Sequence, residues 1–234
     1  MSVPLALAPR DQTLAQLQER IKGMQDGVAR LPVSTHPALA GLVQLRTGGA
    51  YEVDHASLAM ALLAAPSSEG AWSAVVGAGD FGVEAAAELG VDLTRTVLVP
   101  DPGEQWLEAT AALVDVVSVV VLRPPPGVSE RTASRIGARL RKRSSVLIVW
   151  GRWPGAEARI SIRSSTWSGA EAGHGRLRSR RVLLGVQQGT APVRTAELLF
   201  PAETAALARV PGIGGEQVIQ RSSERSFEHA ASTA

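Results

Sequence analysis

The chain has 234 residues, 45% of them hydrophobic, no cysteine and a net charge of +2. That length suits one sizeable core with extra terminal segments, and the missing cysteines exclude disulfides, thiol nucleophiles and thiolate metal sites. No apolar run reaches the ~18 residues of a membrane span and the N-terminus lacks the pattern of a secretory leader, so a cytoplasmic protein is expected.

Residues 13–31 read as a helix, with Leu14, Leu17, Ile21, Met24, Val28 and Leu31 on one face. Gly23 and Gly27 weaken it, so it needs a surface to pack on. Residues 32–41 read as a connector. Residues 42–45 and 51–53 flank Arg46-Thr47-Gly48-Gly49, which predicts a hairpin. Residues 57–65 predict a short buried helix. Strands then alternate with helices: strands over 71–76, 96–99, 116–122 and 145–150, helices over 83–89, 104–114 and 129–143. This rhythm predicts an α/β fold with a mainly parallel central sheet covered by helices. After Gly151, apolar and polar residues alternate over 158–164 and 180–186, which predicts antiparallel strands added at the C-terminal side, joined by a Gly-rich loop at 168–175. One amphipathic stretch follows, at 195–207, broken by Pro201. The small, polar end predicts disorder. The expected division is 1–36, an N-terminal helix and connector; 37–190, the core; and 191–234, an amphipathic segment and tail.

Charge is segregated along the chain. Residues 1–122 hold 6 Lys/Arg and 14 Asp/Glu, while residues 123–185 hold 14 and 3. Either a basic face meets something acidic, or the two halves neutralise each other within the fold.

Candidate chemistry is sparse. Gly77-Ala78-Gly79-Asp80-Phe81-Gly82 is a literal G-x-G-x-x-G between a strand and a helix, with Asp101 nineteen residues on from Gly82. That is the pattern of a dinucleotide site. The same residues serve a tight strand-to-helix turn, and the motif follows earlier sheet elements where the fingerprint normally opens its domain. The sequence has no G-x-S-x-G elbow, no H-E-x-x-H and no G-x-x-x-x-G-K-[ST]. Its two lysines, Lys22 and Lys142, stand in helical, solvent-facing contexts, and His36, His55, His174 and His229 are too scattered for a metal site. No cofactor and no metal are expected, and a nucleotide-dependent enzyme (a dinucleotide oxidoreductase or a residual ATPase) is the competing reading.

The run Ala87-Glu88-Leu89-Gly90-Val91-Asp92-Leu93, then Pro100-Asp101 with Gly103-Glu104-Gln105, then a helix and a valine-rich strand, resembles the core of RecA. With Arg123-Pro124-Pro125, Gly151 and Trp153-Pro154-Gly155, Trp167-Ser168-Gly169 and Gly173-His174-Gly175-Arg176-Leu177-Arg178, the chain is similar to RecA-like proteins of the ImuA type, of damage-inducible mutagenesis operons. The resemblance implies a RecA-like fold and an accessory role in SOS-induced, error-prone translesion synthesis. It implies as partners an ImuB-type Y-family-like protein and, through it, a C-family polymerase, with DNA, RecA or a second copy as further candidates. The departures from RecA imply that this is not an enzyme. Where the phosphate-binding loop would follow the first core strand stand Asp54, His55, Ala56 and Ser57, without the glycines and lysine that hold phosphates. Arg123 stands where a metal-binding aspartate would be.

Two further groups are candidate surfaces. Arg131, Arg135, Arg139, Arg141, Lys142 and Arg143 coat one helix, and Arg176, Arg178, Arg180 and Arg181 follow in the later strands. These could meet DNA or an acidic partner. Trp150, Trp153 and Trp167 lie among them and could stack on bases or fill the core. For protein partners, the apolar residues Leu14, Leu17, Ile21 and Met24 near one end and Leu198, Leu199, Phe200 and Leu207 near the other are candidate anchors, the tail packing on the core being the alternative.

Overall fold

The computed structural model describes residues 30–171, 174–202 and 206–210. Its elements are β1 (Pro32–Val33), β2 (Leu45–Arg46), β3 (Ala50–Val53), α1 (Ala56–Ser68), β4 (Ser73–Val76), α2 (Val83–Glu88), β5 (Thr96–Val99), α3 (Trp106–Val114), β6 (Val119–Leu122), α4 (Glu130–Arg143), β7 (Val146–Trp150), β8 (Ala158–Glu171), β9 (His174–Gln188), β10 (Arg194–Leu199) and β11 (Ala208–Arg209).

One nine-stranded sheet runs in the order β11-β10-β9-β8-β3-β7-β6-β4-β5. The pairs from β8 through β5 are parallel and those from β8 through β11 antiparallel. The expected α/β class, parallel centre and antiparallel C-terminal extension are what the chain forms. The central strands β4, β6 and the first four residues of β7 are wholly buried. Strands covered on both faces must be apolar on both, which is why they read as runs of Val, Ala and Leu rather than as alternations.

Helices cover the centre on two sides. On one, Leu58, Met60, Leu62 and Leu63 of α1 join Tyr51, Val53, Val121 and Ile148 in the first core. On the other, Ala111 and Val114 of α3 and Ala133, Ile136 and Leu140 of α4 pack on Val76, Val120, Leu122, Leu147 and Val149. Ser129 caps α4 by accepting the Thr132 N–H at 3.1 Å, and Ser144, at φ 55°, ends it.

Three expectations need correction. Residues 42–53 form no hairpin: β2 pairs with β1, inside the stretch expected to be a connector, while β3 enters the main sheet between β7 and β8. Burial explains it, because Tyr51 and Val53 gain two parallel neighbours and lie in the core. The Gly-rich segment at 168–175 is strand on both sides, with Ser168 opposite Ser179 and Ala170 opposite Gly175. A bulge at Gly169 absorbs the irregularity. Its φ is +108°, and a Cβ there would lie 2.3 Å from the Arg176 carbonyl oxygen. The amphipathic stretch at 195–207 begins as strand β10, paired along β9. Leu198, Phe200 and Leu207 are core, so they are unavailable as an exposed anchor, and Leu199 is half-buried. Their burial closes the first core below β8 and β9. Leu14, Leu17, Ile21, Met24 and Lys22 lie outside the described residues.

Candidate functional site

Parallel α/β sheets bind ligands beyond the carboxyl ends of their strands, so the ends of β3, β4, β6 and β7 are the place to look. β3 passes into α1 through only two residues, Asp54 and His55. Ala56 and Ser57 already lie in the first turn of the helix. Asp54 Oδ1 is 2.7 Å from His55 Nδ1, and the Asp54 carboxylate accepts the Ile162 N–H at 3.2 Å. A phosphate-binding loop needs several consecutive amides free to wrap an anion. Here the connection is too short to make one, and a carboxylate occupies its place.

Arg123 leaves the end of β6 and donates to Asp80 at 2.6 Å. Its guanidinium lies 4.2 Å from the centre of the Trp150 ring. Asp80 and Arg123, beyond the ends of neighbouring strands, are thereby tied to each other. The G-x-G-x-x-G run has a packing explanation at its first glycine. Gly77 has φ +74°, and a Cβ would stand 2.5 Å from the Arg123 carbonyl oxygen. The Gly77 N–H is spent on the Val99 carbonyl at 2.9 Å. Helix α2, which a pyrophosphate would cap, has six residues. Asp101 is exposed past the end of β5.

A cleft of 580 Å³ opens at the same end of the sheet. Its walls are the turn after β6, from Pro124 through Val128, and the turn after β7, with Arg152, Trp153 and Pro154. Glu52 forms the floor. This side chain is buried, accepts the Trp153 N–H at 2.5 Å and pairs with Arg159. The pairing satisfies a carboxylate that burial would otherwise penalise. Sequence reasoning missed Glu52, Arg159 and the cleft, because a single acid in an apolar strand carries no periodic signal. Below, at the amino end of β3, the Tyr51 hydroxyl accepts the Arg46 N–H at 2.7 Å and donates to Glu157 at 3.1 Å. Burial pushes the Tyr51 phenol up from its ordinary value, opposed by that hydrogen bond and by nearby arginines. Among the described residues no cluster of His, Asp or Glu is placed to hold a metal.

The ten candidate basic residues fall into two separate groups. α4 runs back from the end of β6 to the start of β7, so Arg139, Arg141, Lys142 and Arg143 lie toward the amino edge, where Arg141 packs against Gly48. Arg139 and Arg143 pair with Asp115 at 3.6 and 3.2 Å. Arg131 and Arg135, nearer the start of the helix, are exposed. The second group sits on the β8–β9 ribbon, which pairs with β3 only through Ile160 and then continues past the carboxyl edge. β10 supports it as far as Arg180, through Phe200 and Pro201. Along β9, alternation puts Arg176, Arg178 and Arg180 on one face. Trp167 lies opposite Arg180, whose guanidinium is 5.7 Å from its ring centre. Arg181 faces the other way and pairs with Glu197 at 2.8 Å. Of the three tryptophans, Trp167 is exposed, Trp150 is half-buried under Arg123 and Trp153 is core, so Trp153 is not a stacking platform.

Among the described residues, no helix is long and apolar enough to cross a membrane. The chain is 32% identical over 160 residues to the uncharacterized protein Rv3395c of Mycobacterium tuberculosis, covering 64% of this chain and 72% of that one. The family model for the MT3502 N-terminal domain matches residues 38–155, which run from the residues before β2 through β3 and the parallel centre to the turn after β7 that walls the cleft. That span is half of the sequence, and it places the chain in the MT3502 N-terminal domain family.

Proposed function

We propose that this protein is a non-catalytic, RecA-like adaptor of the ImuA type, acting in SOS-induced error-prone translesion synthesis. The observation that carries the non-catalytic part is the two-residue connection from β3 to α1, with the Asp54 carboxylate bonded to the Ile162 N–H where a phosphate would sit. The tie between Arg123 and Asp80 supports it, since it sets a cation at the end of β6 and engages the nearby acid. The adaptor role rests on the sequence resemblance, which brings the ImuB-type protein and a C-family polymerase as partners. Work on damaged DNA puts the protein in the cytoplasm, at the nucleoid. Calorimetry with Mg-ATP is the test. The expected result is no heat of binding at millimolar nucleotide. Submillimolar binding lost on Asp54→Ala or Ser57→Ala overturns the reading in favour of a residual ATPase.

A second reading, a DNA-binding module, is favoured by the ribbon. It carries the exposed Arg176, Arg178 and Trp167 on one face, with Arg180 half-buried beside the Trp167 ring, the composition of a strand-tracking surface.

A further inference from the structure

Between α4 and the turn after β7 runs a groove of 370 Å³. It extends along the helix from Glu130, at the carboxyl edge of the sheet, to Gly48 and Arg141 at the amino edge. Ala50, Ala133, Leu140 and Trp153 give it an apolar floor. Gly137 opens it further: an added Cβ would meet only the Arg141 side chain, at 3.4 Å. At a rise of roughly 1.5 Å per residue, the stretch from Glu130 to Arg141 is about 16 Å, or three helical turns. Among the described residues, none fills this space.

The described chain begins at the mouth of this groove. Arg30 pairs with Glu157, one of the residues that line it, and donates to the Thr47 carbonyl at 3.1 Å. Residues 1–29 lie outside the described residues, and this is the point from which they depart. Their periodicity predicts a helix with Ile21, Met24 and Val28 on one face. Gly23 and Gly27 weaken such a helix in isolation, so it needs a surface to cover its stripe. A helix running back from Arg30 along the groove places those three side chains within its three turns. It also sets Arg20 about 15 Å from Arg30, level with Glu130, which is exposed and pairs with no cation among the described residues. We infer that residues 19–29 seat as a helix in the α4 groove of their own chain, with Ile21, Met24 and Val28 inward and Arg20 beside Glu130. This spends two candidate anchors, Ile21 and Met24, within the molecule and leaves Leu14 and Leu17 beyond the end of the groove. The groove belongs to neither the cleft nor the ribbon, so the inference stands whether or not the adaptor reading does.

The absence of native cysteines makes disulfide trapping in the full chain a direct test, since the bond forms only between Cα atoms closer than about 7 Å. Ser134 is exposed on the lip of the groove. Under mild oxidation, Met24→Cys with Ser134→Cys should close within one chain at least tenfold faster than Met24→Cys with Arg178→Cys, whose second cysteine stands on the ribbon. Gly137→Leu, which fills the groove, should slow that closure at least tenfold. Should this variant misfold, charge gives a second arm: Glu130→Arg should slow closure, and adding Arg20→Glu should restore it. Closure no faster than the ribbon control, or indifferent to both the filled groove and the reversed charge, overturns the proposal. So does a disulfide between two chains whose yield rises with protein concentration, because a second copy would then supply the occupant.

Discussion

His36 shows how one side chain ties local structure to pH. Its Nδ1 accepts the Ala38 N–H at 3.2 Å and so caps the short 3₁₀ turn Pro37–Leu39, which brings Leu39 into the first core. Burial lowers its pKa from the ordinary value. The sign follows directly. The folded chain favours the neutral ring, so below the unfolded value of about 6.5 the unfolded chain holds more protons and gains on the folded one. Stability should therefore fall as pH drops below about 6.5, and part of that slope should vanish in His36→Asn, whose side chain caps without titrating. Thermal melts of both proteins between pH 5 and pH 8, a range chosen to span roughly the histidine titration, check it. A slope identical in the two proteins would place the titration elsewhere. Asp92 is a simpler case: hydrogen bonds from the Thr94 side chain and backbone hold its carboxyl below the usual range. Single residues of this sort were hardly legible in the sequence. Nothing in the residues around position 52 announced that Glu52 would be buried against Arg159, since the partner stands 107 residues away.

Among elements, the parallel strands were legible because double burial demands apolar runs, and Ala74–Val76, Val119–Leu122 and Val146–Trp150 are such runs. The pieces that went astray were those whose partners are remote. β2 and β3 share Gly48 and Gly49, which suggest a turn, yet each pairs with a different sheet. Ser164, Ser165, Thr166, Ser168 and Gly169 hid the length of β8, because Trp167 alone among them makes no apolar alternation. Pro201 suggested only a break in an amphipathic stretch, whereas the segment before it is strand β10. That last difference reverses an expectation about the tail. A chain ending at Gly189 loses Ala196, Leu198, Phe200 and Leu207 from the first core. Deleting a single buried Leu or Phe costs about 2–5 kcal/mol, against a total stability of roughly 5–15 kcal/mol for a domain. The truncated chain should melt without cooperativity, and Phe200→Ala alone should lower the melting temperature markedly. A sharp transition retained after truncation would mean that β10 and β11 add little to the core.

Across the whole molecule, the segregated charge divides in two. Arg123, Arg139, Arg143 and Arg159 pair with Asp80, Asp115 and Glu52, so part of the basic segment neutralises the acidic half internally. What remains exposed is spread over distant places: Arg141 and Lys142 at the amino edge, Arg131 and Arg135 nearer the start of α4, Arg152 beside the cleft, and Arg163, Arg176 and Arg178 on the ribbon. The single basic face that the sequence allowed is broken up, and its amino-edge and ribbon parts can be told apart. If the protein binds single-stranded DNA, Arg176→Glu with Arg178→Glu should weaken binding at least tenfold, while Arg141→Glu with Lys142→Glu should leave it nearly unchanged. Phosphate contacts release counterions, so the affinity should also fall steeply with salt. Fluorescence titration across salt concentrations measures both, and an equal loss from the two variants would contradict a ribbon site. The adaptor claim itself meets its most direct test in affinity capture of the full chain from cells before and after DNA damage, with bound proteins identified by mass spectrometry. The account predicts recovery of an ImuB-type, Y-family-like protein after damage, with a C-family polymerase recovered through it. Recovery of neither, from damaged cells in which both are present, would contradict it.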